Sequence, residues 1–122
     1  KKLNNLLIQS EKKTRNNSKL QINLALNYGS RAEIIYAFKK LCKKNLIINE
    51  QNLSNLLFTK NTPDPDLLIR TGNTKRLSNF LLWQLSYSEI FFSKKLWPEF
   101  NEKDYKNIID QFKRIKRNFG QV

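Results

Sequence analysis

Two arginines and a serine within nine residues of one another are the side chains best suited to chemistry in this sequence. Arg70 ends a short apolar run that begins at Leu67, and Arg76 and Ser78 follow in a segment that also contains a glycine. A guanidinium group presents paired donors that match phosphate oxygens, and a hydroxyl adds a further donor. We predict that a helix begins at Ser78 or Asn79, so that its free amides add a partial positive charge. This combination predicts a diphosphate-binding site.

A carboxylate supplies a second candidate site. Glu89 lies between an apolar segment and the run Ile90-Phe91-Phe92, which predicts a partly buried side chain. Beside a bound diphosphate, this glutamate would hold Mg²⁺ through one oxygen, with phosphate and water as the other ligands. An ion pair between Glu89 and Arg76 or a lysine explains the same pattern equally well. The aspartates of Asp64-Pro65-Asp66 flank a proline, which favours a turn and the start of a strand over a metal motif.

The composition excludes several other kinds of chemistry. The chain has no histidine and one cysteine, Cys42, which the helical pattern places beside Leu41 as a small buried thiol. Nucleophile arrangements of the Ser-His and Cys-His types are therefore excluded, as are metal sites built on thiolate or imidazole. Neither common glycine-rich phosphate loop is present. Arginine, carboxylate and hydroxyl chemistry remain.

The net charge of +13, from 23 Lys and Arg against 10 Asp and Glu, bears on the choice of partners. The lysines are dispersed in pairs on predicted outer helix faces, which favours a solvated basic exterior over a nucleic-acid surface. Such a field still suits anionic partners, including diphosphates and acidic lipid headgroups. No apolar run is long enough for a transmembrane helix or a signal peptide. A single cysteine points to a reducing cytoplasm.

The hydrophobic pattern predicts helices that alternate with strands. Helices are predicted over residues 1–16, from Ser30 to about Lys44, from Asn49 to Phe58, from Ser78 or Asn79 through Leu85, and from Asn101, with strands over 20–27, 67–70 and 89–92. Ser30 and Glu33 have the spacing of a capping box, and Gly120 is placed where a helix ends. The order predicts an α/β fold, a mostly parallel β-sheet flanked by helices.

Several ordered motifs resemble the C-terminal half of the cis-prenyltransferases, those of the undecaprenyl diphosphate synthase type above all. The segment 66–72, which reads Asp-Leu-Leu-Ile-Arg-Thr-Gly, is followed by Arg-Leu-Ser-Asn-Phe-Leu-Leu-Trp-Gln over 76–84. Tyr-Ser-Glu over 87–89 and Leu-Trp-Pro-Glu-Phe over 96–100 complete this series. Earlier in the chain, Asn-Tyr-Gly-Ser-Arg over 27–31 resembles the family motif Asn-Tyr-Gly-Gly-Arg. The likeness covers nearly the whole chain.

This resemblance implies isoprenoid chain elongation, in which an allylic diphosphate such as farnesyl diphosphate loses its diphosphate and isopentenyl diphosphate adds with cis geometry. It assigns the isopentenyl diphosphate headgroup to Arg70, Arg76 and Ser78, with Leu77 offering only its backbone. It assigns Mg²⁺ binding to Glu89. A homodimer in the cytoplasm is implied, and peripheral contact with a membrane that receives the lipid product stays open.

The chain also departs from the family pattern. Asn73-Thr74 replaces the usual Gly-Glu, Ser30 replaces a glycine in what we expect to be a loop, and Asn118 and Gln121 depart from the family's ending. The family's Asp-Gly-Asn-x-Arg-Trp segment, which supplies the catalytic aspartate and holds the allylic diphosphate, has no equivalent in residues 1–122. We therefore expect residues 1–122 to be the C-terminal portion of one incomplete domain, without the N-terminal catalytic portion.

Two other functions stay open. One is a noncatalytic subunit of the same family. Whether the missing segment has its aspartate would distinguish this subunit from an enzyme. Retention of Arg70, Arg76, Ser78 and Glu89 argues against it, because a purely structural partner need not keep these side chains. The other is a basic module that binds RNA or a membrane surface, and a salt-dependent affinity for RNA would distinguish it.

Overall fold

The structure is a computed structural model, and it describes residues 2–118. Its elements are α1 (Lys2–Thr14), α2 (Ser30–Lys43), α3 (Glu50–Ser54), β1 (Leu67–Arg70), β2 (Glu89–Phe92), a 3₁₀ helix (Trp97–Glu99) and α4 (Glu102–Phe112). The two strands pair in parallel and helices flank them in sequence, which confirms the predicted α/β class. Within the described residues, no helix is long and apolar enough to cross a membrane.

The register of the two strands decides where the candidate residues lie. Leu67 pairs with Glu89 at the start of the strands, and Arg70 pairs with Phe92 at their carboxyl ends. At about 3.3 Å per residue, this offset separates the backbones of Glu89 and Arg70 by roughly 10 Å along the sheet. The two candidate residues therefore stand at opposite ends of the strand pair.

A small core forms within the described residues. Its buried apolar side chains are Ala37 and Leu41 of α2, together with Leu57, Leu85 and Ile108. The α2 helix contacts α3. The short helix after Asn49 is confirmed, since the Asn49 side chain accepts from the Asn52 amide, but it ends at Ser54 rather than Phe58.

Part of α2 faces outward where the pattern predicts that it faces inward. Ile35 and Phe38 are 56% and 42% exposed, and Cys42 is exposed as well. The prediction of a buried thiol is therefore wrong. The described residues provide no second layer over this side of the helix, so the buried stripe of α2 is limited to Ser30, Glu33, Ala37 and Leu41.

The strand predicted over 20–27 is wrong. This segment pairs with no strand among residues 2–118 and ends in a turn at 26–27, and its alternating leucines and isoleucine are 59% to 73% exposed. A period of two indicates which side chains share a face. A strand also needs a neighbour that satisfies its backbone groups, and the described chain supplies none here.

The helix predicted from Ser78 or Asn79 through Leu85 is also wrong, because the segment forms successive turns. Ser78, Asn79 and Leu81 have φ values of 50°, 62° and 45°, which a right-handed helix cannot contain. The expected contribution of helix N-terminal amides to a diphosphate site is absent from this segment as a result.

The last helix agrees with its predicted start. The Asn101 side chain accepts from the amides of Lys103 and Asp104, and the Asp104 carboxylate accepts from the Asn101 amide. That amide and the Lys95 ammonium group lower the pKa of Asp104. The helix end predicted at Gly120 lies outside the described residues.

Candidate functional site

The Arg70 guanidinium is held by the loop that follows its strand, residues 71–79. Its Nε donates to Thr74 Oγ1 at 2.8 Å, and its Nη1 donates to Ser78 Oγ at 3.0 Å. Nη1 also donates to the Arg76 carbonyl. The loop therefore wraps around one end of the guanidinium group and fixes its direction. Two of the sequence-predicted side chains, Arg70 and Ser78, are in direct contact.

The backbone of this loop is anchored to the segment after β2. The Gly72 amide donates to the Lys95 carbonyl at 2.8 Å, and the Asn73 amide donates to the Ser93 carbonyl at 3.0 Å. Gly72 has φ 90° and Asn73 has φ 55°, conformations that glycine adopts freely and asparagine tolerates better than most residues. Asn73 is accordingly compatible with the turn, where the family usually has glycine.

No carboxylate in residues 2–118 forms an ion pair with Arg70 or Arg76 of the loop. Ion pairs in the described part of the chain join Lys95 to Asp104, Lys106 to Glu102 and Arg117 to Asp66. Neither Arg70 nor Arg76 forms an ion pair within residues 2–118. An ion pair with an aspartate therefore does not account for the position of Arg70 at the end of a strand. Arg76 is exposed and Leu77 is half-buried beside it. Two guanidinium groups and a hydroxyl at a strand's carboxyl end form a suitable anion site.

Glu89 belongs to a different part of the molecule. It lies at the start of β2 and lines a cavity of about 290 Å³ with Tyr87, Lys116 and Arg117 among its walls. In residues 2–118 it forms no ion pair, and no group of three or more potential metal ligands occurs there. The structure therefore brings the Arg70 guanidinium into contact with the Ser78 hydroxyl and the Arg76 carbonyl, with Leu77 between these two residues in sequence, and it places Glu89 at the other end of the strands.

Sequence reasoning missed the contact between the 76–82 segment and the beginning of α2. The Ser30 amide donates to the Asn79 carbonyl at 2.8 Å, and the Arg31 amide donates to Asn79 Oδ1 at 2.9 Å. In return, the Leu82 amide donates to Ser30 Oγ at 2.9 Å. Ser30 is fully buried at the first position of α2, so its hydroxyl is structural and it does not lie in a loop. The sequence feature that could have indicated this contact is the pair of motifs at 27–31 and 76–84, which lie far apart in the chain.

Glu33 does not form the predicted capping box. Its side chain is buried and accepts from the Phe58 amide at 2.7 Å, from Gln84 Nε2 at 3.2 Å and from the Tyr28 hydroxyl. Burial, together with this hydrogen bond to Glu33, raises the pKa of Tyr28 to about 12. The network joins Tyr28, α2, the 58–59 segment and Gln84.

We expect Glu33→Ala to lower the free energy of unfolding by about 2–4 kcal/mol, because the Phe58 amide and the Gln84 side chain lose their buried acceptor. Chemical denaturation of the 122-residue chain measures the change. Glu102→Ala is the matched control, because that glutamate is 79% exposed and pairs only with Lys106 in the described chain. Equal stability of the two variants would show that the Glu33 network contributes nothing.

A comparison with known protein families covers nearly the whole chain. The sequence profile of a prenyltransferase family, described as undecaprenyl diphosphate synthase, matches residues 1–120. The chain belongs to this family of cis-prenyltransferases. The resemblance inferred from the motifs is thereby confirmed.

Individual relatives agree with the family assignment. An isoprenyl transferase from Oceanobacillus iheyensis is 45% identical over 90% of this chain and 46% of its own length. One from Aquifex pyrophilus is 44% identical over the whole of this chain and 53% of its own length. The chain therefore spans about half the length of the curated relatives that it matches.

Two solved structures are similar to this chain in fold as well as in sequence. The crystal structure of a probable undecaprenyl diphosphate synthase from Campylobacter jejuni is 45% identical, with a TM-score of 0.88 over 98% of this chain and 57% of the other. Lavandulyl diphosphate synthase from Lavandula x intermedia, in complex with dimethylallyl diphosphate, is 34% identical, with a TM-score of 0.90 over 98% of this chain and 54% of the other.

Proposed function

We propose that this chain forms the isopentenyl diphosphate half of an enzyme that condenses this substrate with an allylic diphosphate, such as farnesyl diphosphate, to give a cis-polyprenyl diphosphate. Arg70, Arg76 and Ser78 bind the diphosphate of isopentenyl diphosphate, and Leu77 contributes its backbone. The observation that carries the proposal is the Arg70 guanidinium, which is aimed by Thr74 and Ser78 and has no carboxylate partner within residues 2–118.

The hydrogen bonds of the loop leave donors for a ligand. Arg70 uses Nε and Nη1 within the loop, so its Nη2 group has no partner among residues 2–118. Ser78 Oγ accepts from Arg70, which leaves its own proton available to a phosphate oxygen. With the exposed Arg76 guanidinium, these donors suit a dianionic or trianionic headgroup.

The allylic substrate requires a second group of residues. In the reaction, the carbon–oxygen bond of the allylic diphosphate breaks, a carbon–carbon bond forms to isopentenyl diphosphate, and a proton leaves the new unit. Residues 1–122 contain no match for the aspartate segment, so we propose that sequence outside them supplies the allylic site. The lavandulyl diphosphate synthase structure, which contains dimethylallyl diphosphate, supports prenyl diphosphates as the substrate class.

Mg²⁺ is the metal that we propose for this chemistry, with Glu89 as its ligand. A single half-buried carboxylate fits the way Mg²⁺ is held, because the ion keeps water and substrate phosphate as most of its ligands. The ion would neutralise charge on a diphosphate. Because Glu89 and Arg70 stand at opposite ends of the strands, we propose that Glu89 serves a site completed by residues from outside this chain, such as those of a second subunit.

Glu89→Gln is expected to lower prenyl transfer mainly by weakening Mg²⁺ binding, because the amide keeps the shape and loses the charge. Excess Mg²⁺ should then restore part of the activity. The assay is a Mg²⁺ titration of a chimera in which this chain replaces the matching segment of the Campylobacter jejuni relative. Glu99→Gln is the control, since that exposed glutamate caps the 3₁₀ helix. An unchanged titration curve with a lower Tm would make Glu89 structural.

We further propose that the complete protein is a homodimer. Large apolar side chains remain exposed beside the strands, with Phe92 and Trp97 at 39% and 76%. Exposed apolar groups of this size usually mark an interface. Light scattering of the chimera tests the assembly, and a stable monomer at micromolar concentration would contradict it.

Incorporation of labelled isopentenyl diphosphate onto farnesyl diphosphate by the same chimera tests the proposed function as a whole. We expect product that depends on both substrates. If the chimera binds farnesyl diphosphate but incorporates no label, the proposed function of this chain is wrong.

A further inference from the structure

Asn79 caps a helix that lies nearly 50 positions away in the sequence. The first amides of a helix lack partners within the helix itself, and a preceding side chain commonly accepts from them. Here Gly29 precedes α2 and has no side chain to offer. Asn79 supplies both acceptors instead, its carbonyl to the Ser30 amide at 2.8 Å and its Oδ1 to the Arg31 amide at 2.9 Å.

The same contact explains why position 29 is glycine. A Cβ atom on Gly29 would lie 2.9 Å from Asn79 Nδ2, closer than van der Waals contact allows. The φ of Gly29 is −150°, which any residue adopts, so its conformation does not require glycine. Because Nδ2 is the end of a flexible side chain, a Cβ atom at position 29 would displace it, and we expect this displacement to weaken the hydrogen bond between Asn79 Oδ1 and the Arg31 amide. Gly29 and Asn79 therefore form one close-fitting contact.

This contact lies next to the candidate site. Ser78, which precedes Asn79, accepts from the Arg70 guanidinium. Ser78 and Asn79 both have positive φ values, a backbone that persists in residues with side chains only where surrounding contacts hold it. On the other side of Asn79, the Phe80 ring packs edge-on against Tyr28 with centroids 5.8 Å apart. Tyr28 and the first residues of α2 thus hold the end of the loop that follows Arg70.

We propose that Asn79 is a positioning residue of the isopentenyl diphosphate site. By capping α2 and packing on Gly29, it fixes the backbone at Ser78 and, through the serine hydroxyl, the direction of the Arg70 guanidinium. This inference rests on the proposed function for its biological meaning. The structural part of the inference is that the direction of the Arg70 guanidinium depends on Asn79, and this part can be tested without any substrate.

The first experiment follows the Arg70 Nε–H proton by NMR in the 122-residue chain. Asn79→Gly permits the positive φ and keeps the backbone carbonyl that accepts from the Ser30 amide, but it removes the Oδ1 acceptor of the Arg31 amide. Asn45→Gly is the matched control, because Asn45 has φ 51° in the turn after α2, away from the site. We expect exchange of the Arg70 proton with water to accelerate about tenfold or more in Asn79→Gly and by less than about twofold in Asn45→Gly, the effect of about one hydrogen bond. Unchanged exchange in Asn79→Gly overturns the proposal.

Gly29→Ala provides a second variant that reaches Asn79 from the other side. We expect it to accelerate the same exchange, and to add nothing in the Asn79→Gly background, where the clashing Nδ2 is gone. An equal effect of Gly29→Ala in both backgrounds would show that the contact with Asn79 is not its cause. Should Asn79→Gly not fold, Gly29→Ala and Asn79→Asp, which keeps the Oδ1 acceptor and should preserve the Arg70 proton, decide the question.

Isopentenyl diphosphate titrations of the same variants distinguish the two proposals. We expect Kd to rise about tenfold in Asn79→Gly and to stay within about twofold in Asn45→Gly, again the effect of about one hydrogen bond. If the unchanged chain does not bind isopentenyl diphosphate, the proposed function fails while the proton exchange still tests the positioning. A lower Tm in Asn79→Gly with unchanged exchange and Kd would make the cap merely structural and overturn the inference.

Discussion

Arg70→Ala is expected to reduce kcat/KM for isopentenyl diphosphate by about 30- to 100-fold, a loss of about 2–3 kcal/mol in binding the reacting diphosphate. The size follows from the removal of a charge-assisted contact to an anion, since the guanidinium has no carboxylate to satisfy it within residues 2–118. The alanine also leaves Thr74 and Ser78 without the group that joins them. The measurement is steady-state kinetics of the Campylobacter jejuni chimera.

Three further variants make the Arg70 result specific. Arg76→Ala should cause a loss of the same kind, because the proposed function assigns this exposed guanidinium to the same diphosphate. Arg70→Lys should recover little, since an ammonium group cannot donate to Thr74, Ser78 and a phosphate in one plane. Arg15→Ala, in the exposed turn after α1, is the control for lost charge. Wild-type kcat/KM in both alanine variants at positions 70 and 76 would show that the assigned roles are wrong.

The 122-residue chain by itself is expected to show no prenyl transfer above background. Ionisation of an allylic diphosphate needs positioned charge at the leaving group, and such stabilisation is usually the largest part of catalysis. The described residues provide donors for one diphosphate at the 71–79 loop, and residues 1–122 lack the aspartate segment that serves the other.

Labelled isopentenyl diphosphate and farnesyl diphosphate are the substrates for this test, with the chimera as the active reference. Weak binding of diphosphate that declines at high salt is compatible with the expectation. Turnover by the chain alone that Arg70→Ala abolishes would show that the catalytic groups lie within these residues and have been misplaced.

The elements that the sequence predicts well are those whose pattern is local. β1 and β2 are short apolar runs, and both were placed within their observed bounds. Asn49 and Asn101 indicate where helices begin, because each side chain accepts a hydrogen bond from a backbone amide three residues later. The contact between Arg70 and Ser78 is also nearly local, because only eight positions separate them, so the sequence indicates that these two side chains lie close together.

The elements that sequence reasoning misses depend on distant partners. The segment from Ser78 has the composition of a helix, but hydrogen bonds from α2 hold Asn79 in a conformation that no helix contains. Ser30 and Glu33 have capping-box spacing, yet their side chains bond to Leu82, Phe58 and other distant groups. In each of these cases, a long-range contact overrides the local preference.

The separation of Glu89 from Arg70 has the same origin. From the sequence, Arg70 is predicted to bind a diphosphate, and Glu89 is predicted to hold Mg²⁺ beside a bound diphosphate. Their distance depends on the register between β1 and β2, which pairs Leu67 with Glu89 and Arg70 with Phe92. Register is set by how the strands pack together, and no local motif in either strand specifies it.

The most direct test of the assigned site is an NMR titration of the 122-residue chain with isopentenyl diphosphate, observed at the Nε–H groups of arginine and at backbone amides. The chain contains six arginines, so their side-chain signals can be resolved and assigned. We predict that Arg70, Arg76 and the Ser78 amide shift together with one Kd, while Arg15 and Arg114 do not. Shifts confined to the cavity around Arg117, or no shift at Arg70 at saturating ligand, would contradict the assignment.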